Sequence, residues 1–193
     1  MNVSPLRTDA AQRRRQILDA ADEVFSECGV NVPLELVVER SGVGRATLYR
    51  NFPDRIALVT ALFERGLDAL ERLVADIGDR ADGLAIVLED LADHVACSAA
   101  MADLWRAMPR SHPFVAHADR RVLEILMPLV RRAAGTGLCR PGIDEEQVLL
   151  VLDMLGSCLR GQDEAERRRL ARRCAGLVQQ ALGFAPAAPR PAA

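Results

Sequence analysis

From Thr8 onward, apolar side chains fall at Ile17, Leu18, Ala21, Val24, Phe25 and Cys28, the three- and four-residue steps of one helical face. Gly29 is placed to end this helix in a left-handed cap. Pro33 suits the first position of a short second helix carrying Leu34, Val37 and Val38, which stops at Ser41-Gly42. Val43 follows the turn, and Gly44 to Arg50 reads as a third short helix. Phe52-Pro53-Asp54 then breaks the chain and caps a long fourth helix with Val59, Leu62, Phe63, Leu67, Leu70, Leu73, Val74 and Ile77 on its apolar stripe. That helix is long enough to leave one domain and enter another.

Beyond Gly78 the helical period persists over Leu84 to Met101, a short piece at Leu104 to Met108, and Ala116 to Ala134 after a break at Pro109 to Pro113. Strand alternation is absent, which makes the expected fold all-α. A turn at Gly135 to Gly142 leads to Asp144-Glu145-Glu146, acids suited to a helix start. The run Val148 to Leu159 is apolar on nearly every face, so that helix is expected to be buried on more than one side. The last helix, Glu164 to Leu182, carries Leu170, Cys174, Leu177, Val178 and Ala181 on one stripe. Residues 185–193 alternate Ala and Pro around Arg190 and read as a disordered tail.

Composition sharpens this outline. The 193 residues allow one medium domain or a small one joined to a larger. All 25 basic residues are arginine, each a planar fork suited to phosphate and guanine edges. The net charge of −2 nevertheless excludes a uniformly basic nucleic-acid binder, so any DNA contact must be local. Cys28, Cys97, Cys139, Cys158 and Cys174 are scattered, odd in number and without CxxC spacing, against both a disulfide framework and a zinc finger. No apolar run reaches the length of a membrane span, and the arginines near the N-terminus precede no signal-like apolar segment. The expectation is a cytoplasmic chain that does not enter membranes.

The stretch Leu34 to Asn51, LELVVERSGVGRATLYRN, carries the chemistry. Two short helices flank Ser41-Gly42-Val43, where glycine permits the reversal and Val43 plugs the junction, as a helix-turn-helix requires. The second helix then presents Gly44, Arg45, Thr47 and Arg50, while Ala46 and Leu48 are expected to turn toward the first two helices. Small residues at its start allow close entry into a major groove.

Residues 15 to 62 resemble the DNA-binding region of the TetR family of bacterial transcriptional regulators. The matching pieces are Ile17-Leu18, Ala20-Ala21, Phe25, Gly29, Ser41-Gly42-Val43, Thr47-Leu48-Tyr49, Phe52, and Arg55 with Leu58. Two departures stand out. The link between the first two helices is about one residue short, with Pro33 where the family often has Thr or Ser, and Asn51 replaces the His common before the Phe.

The resemblance implies an N-terminal three-helix helix-turn-helix domain (8–53), a helical ligand-binding and dimerisation domain (54–184), and the tail (185–193). It implies a repressor released from a pseudo-palindromic operator by a small-molecule effector, working as a homodimer, with no catalytic residues, cofactor or metal. Thr47, Tyr49 and Arg55 are then phosphate donors, Arg45 and Arg50 reach base edges or nearby phosphates, Gly44 and Ala46 permit close approach, and Asn51 adjoins them. Arg45 is the first choice for reading sequence.

Candidates for a pocket are Phe63, Leu67, His94, Met101, Trp105, Met108, Phe114 and Met127, since thioethers and rings suit an apolar or aromatic effector. At any single position plain core packing is the competing reading. Dimer-interface candidates are Val151, Met154, Leu155, Cys158, Leu170, Cys174, Leu177 and Val178. His94 and Cys97, one turn apart, lack a third ligand or an orienting acid. His112 and His117 are expected in an exposed break, and Arg167 to Arg173 on a solvated helix face. An enzyme or non-DNA interaction protein on the same fold, and a thiol or metal sensor using Cys97 or Cys139, are the rival classes.

Overall fold

The computed structural model describes residues 5–97, 108–109, 111–157 and 163–184, which hold eight helices and no strand. They are α1 (Pro5–Cys28), α2 (Leu34–Ser41), α3 (Arg45–Asn51), α4 (Arg55–Ile77), α5 (Gly83–Cys97), α6 (Pro113–Gly135), α7 (Glu145–Ser157) and α8 (Glu164–Ala181). The expected short helix at Leu104 to Met108 and the tail fall largely or wholly outside the described residues.

Local chemistry sets most boundaries. Asp54 caps α4 by accepting from the Ala57 amide at 2.7 Å, and Asp163 caps α8 by accepting from that of Glu166 at 2.8 Å. Asp144 does the same ahead of α7 for Gln147. His112, expected in an open loop, instead caps α6 through Nδ1 on the Phe114 amide, and His117 lies within that helix. Pro33 sits at the N-cap of α2 with no side-chain cap bond, one position before the expected helical one.

Two apolar cores result. One gathers Ile17, Leu18, Val24 and Phe25 of α1 with Leu34, Val37, Leu48, Phe52 and the first turns of α4 through Leu62. The other runs from Leu70 and Ile77 through Leu88, Leu126 and Leu129 to Leu155 and Val178. Helix α4 contributes to both, so a single 23-residue rod joins the N-terminal head to the body. Within the body α5 packs closely on α8, where buried Gln179 donates to the Ala85 carbonyl at 3.1 Å. At the end of α8, Gly183 has φ +90°, and an added Cβ would lie 2.9 Å from the Arg140 amide nitrogen. That close approach lets Arg140 donate to the Leu182 carbonyl and fastens the end of the helix.

Helix α7 corrects one expectation. Within the chain only Val148 and Leu155 are buried, whereas Leu150 and Met154 are 57% and 44% exposed. Among the described residues its second apolar face is exposed.

Candidate nucleic-acid interface

Gly42 makes the turn before α3, with φ +67° and its amide bonded to the Val38 carbonyl at 3.1 Å. Leu48 is fully buried and holds α3 against the head, so the opposite side must face out. Gly44, Arg45, Ala46 and Arg50 are exposed; Thr47, Tyr49 and Asn51 are half-buried. Ala46 therefore does not turn inward with Leu48 as expected. Two residues on a helix differ by roughly 200°, so both cannot share a face.

Arg45 is held in the open. Its Nη2 lies 3.1 Å from Glu35 Oε1 on α2, and its guanidinium carbon lies 5.6 Å from the Tyr49 ring centroid. Arg50 donates to the Thr47 hydroxyl at 3.2 Å, and the Asn51 amide donates back to the Thr47 carbonyl at 2.8 Å. Asn51 thus finishes α3 from within, which accounts for a carboxamide at this position.

Arg55 departs from its expected role. Its guanidinium donates to the Val30 carbonyl and, at 2.6 Å, to that of Val32. The fork is engaged with the α1–α2 link instead of facing outward beside α3. Arg14 takes a place nearby: it lies 4.4 Å over the Phe52 ring and donates to the Asn51 carbonyl at 3.5 Å. The neighbouring aromatic at Phe52 was the available signal. Arg40 braces α1 against α2 through Glu23 and Glu27, and its guanidinium holds the Glu27 carboxyl below the usual range.

In the body a cavity of about 580 Å³ lies among α4, α5, α6 and α7. Phe63, Leu67 and His94 line it as expected. Phe114 is one layer away, its ring 5.9 Å from that of Phe63, and half-buried Met108 is not in the wall. Met127 lies elsewhere, beside Pro128 and Arg131, because it stands roughly 140° round α6 from wall residue Val122. Met101 and Trp105 lie outside the described residues. The wall also contains residues that an apolar search missed: Asp19, Asp22 and Arg65.

The remaining candidates divide by face. Leu155, Cys174 and Val178 are buried in the chain's own core and are unavailable to a partner, whereas Leu177 is 65% exposed. Val151 and Leu170 are half-buried, and Cys158 lies outside the described residues. Within Arg167 to Arg173, Arg172 pairs with Asp93 at 2.6 Å and Arg168 with Glu164 at 2.7 Å. Burial pushes the Cys139 thiol up, which opposes the thiolate that a redox sensor needs. Among the described residues no three His, Cys, Asp or Glu side chains are grouped to hold a metal, and no helix is long and apolar enough to cross a membrane.

The model for bacterial regulatory proteins of the tetR family matches residues 17–62, the head and the entry of α4. A TetR transcriptional regulator of Streptomyces coelicolor superposes with a TM-score of 0.65 at 29% identity, over 91% of this chain and 99% of that one. Residues 17–62 thus form a TetR-type helix-turn-helix head, and the described residues share the fold of a TetR regulator. TetR-family proteins are transcriptional regulators and not enzymes. An HTH-type transcriptional regulator of Staphylococcus aureus is 36% identical over 64 residues, 33% of this chain and 35% of the relative. The chain thus spans about a third of the length of the curated relatives it matches. The TetR fold of the whole chain is also that of FadR from Bacillus subtilis, solved in complex with stearoyl-CoA, at 19% identity and a TM-score of 0.63 over 85% of this chain and 96% of that one.

Proposed function

We propose that the protein is a cytoplasmic, ligand-responsive repressor that binds a pseudo-palindromic operator as a homodimer and leaves it when a small apolar effector fills the body cavity. The division into a DNA-binding unit (8–53) and a ligand-binding and dimerisation unit (54–184) belongs to this reading. Its main support is the outward face of α3, where Leu48 anchors the helix and Gly44, Arg45, Ala46 and Arg50 stand free of the core. Small residues at the start admit the helix to a major groove, and Arg45 reaches a base edge. Thr47, Tyr49 and Arg14 serve the flanking phosphates, and Arg55 keeps the α1–α2 link in register.

One head covers too little DNA for tight specific binding, so two must be held at a fixed spacing. Leu150, Met154 and Leu177 supply an apolar outer strip on α7 and α8 for that purpose. A cavity whose wall includes Phe63, Leu67 and Leu91 offers an apolar effector its site.

Titration of a labelled duplex from upstream of the protein's own gene tests this reading. Arg45→Ala should cost about 1–3 kcal/mol of discrimination at one base-pair position while preserving binding to unrelated DNA. Sequence-blind binding by the unaltered protein would overturn the proposal.

A further inference from the structure

We propose that occupancy of the cavity is reported to the DNA-reading head through Arg65, acting as a positioning residue for α1. The inference rests on the reading of that cavity as an effector site. Arg65 Nη1 lies 2.6 Å from Asp19 Oδ1, and Nη2 lies 2.7 Å from Asp22 Oδ2. Asp19 and Asp22 are three residues apart on α1, hence on one face of it. All three side chains belong to the cavity wall. The head therefore meets the cavity directly, at an ion pair.

The position of this contact along α4 gives it leverage. Leu62 is the last α4 residue buried in the head core, and Leu67 already packs against the body core. No α1 residue enters the body core. Among the described residues, the Arg65 pairs are the polar ties between α1 and α4.

The preceding residue grips the other way. Arg121 of α6 binds Glu64 and Asp68 at 2.6 Å and Glu71 at 2.8 Å, and His117 lies 3.1 Å from Glu64. With α4 held to the body by three carboxylates, a disturbance at Arg65 is taken up by α1. Gly66 stands beside Arg65 in the cavity wall, and a Cβ added there meets nothing within 4 Å. A group filling the cavity shares its wall with Arg65. A fork seated on two carboxylates tolerates little displacement before one bond is lost.

The empty position at Gly66 also supplies the test. Gly66→Leu is a built-in occupant, and Gly156→Leu fills the cavity from α7, where the added Cβ is equally unobstructed. Each is made in the parent protein and in an Arg65→Gln background, with Asp22→Asn as a second way to open the clamp. Upstream-DNA affinity is read by fluorescence anisotropy, and folding by circular dichroism.

In the parent, filling the cavity should weaken DNA binding about fivefold or more. With the clamp already open, the same step should change affinity by less than about twofold. An equal loss in both backgrounds, or no loss in folded parent variants, would overturn the role of Arg65 and leave the regulator reading intact. A parent that binds no upstream DNA would instead remove the regulator reading, and this inference with it.

Discussion

In the head, α1 to α3 and the start of α4 close around Phe25, Leu48 and Phe52, and α3 turns Gly44, Arg45, Ala46 and Arg50 outward. The body buries Leu88, Leu126 and Leu129 but borders an open cavity of about 580 Å³, and Leu150 and Leu177 are exposed among the described residues. A surface that must present the same donors at every encounter is best backed by a full core, because close packing fixes side chains in single positions. Under the proposed function, a domain that responds to a guest gains from incomplete packing, since the guest supplies the missing contacts. Close packing lies at one end of α4, and unfilled space at the other.

The strongest way to break this contrast is to damage each core separately. Phe25→Ala should remove about 3–5 kcal/mol from the head, and Leu126→Ala about 2–5 kcal/mol from the body. Urea unfolding followed by circular dichroism, with amide exchange resolved by segment, should show early opening of α1 to α3 in the first variant and of α5 to α8 in the second. A single shared transition in both would mean that α4 couples the cores into one unit.

A smaller effect tests the outer strip. Leu177→Glu places a charge where an apolar side chain is 65% exposed, and should weaken self-association by about 2 kcal/mol or more. If the proposed homodimer forms through this strip, sedimentation velocity should find the variant monomeric at concentrations where the unaltered protein self-associates. An unchanged dimer would move the interface off α8.

The smallest expected effect is electrostatic. The Arg172 guanidinium holds the Asp93 carboxyl below its ordinary value and ties α5 to α8. A depressed folded-state value adds stability above the unfolded carboxylate range, and that stability is lost as pH falls through the folded value. Asp93→Asn should therefore flatten the acid limb of a stability profile below about pH 4, by under about 1 kcal/mol because the pair is largely solvated. Above that range the profile should keep its shape.

Much of the head was legible because its determinants are local. Gly42, Val43, Leu48 and Asp54 act on residues within a few positions, and the sequence pattern exposes such relations directly. Arg55 was not legible in this way, since its partners are carbonyls 23 and 25 residues earlier. In the body, α7 is apolar on several sides and α8 carries adjacent apolar residues, and composition alone does not separate the inward Leu155 and Val178 from the outward Leu177. Thioether and aromatic chemistry marks pocket residues without regard to helical phase, and so takes in Met127. The same preference for apolar side chains passed over Asp19, Asp22 and Arg65.

The arginine clamps share a property with a practical edge. Every basic side chain in this protein is a guanidinium, including those that brace α1, α4 and α6 and those that face outward on α3. None can be neutralised by an acetyl transferase acting on a lysine ε-amine, and none loses its proton at any pH the fold survives. Amine-directed reagents will find no side chain to label. The positive half of every arginine ion pair is therefore constant, and only its carboxylate can tune the contact.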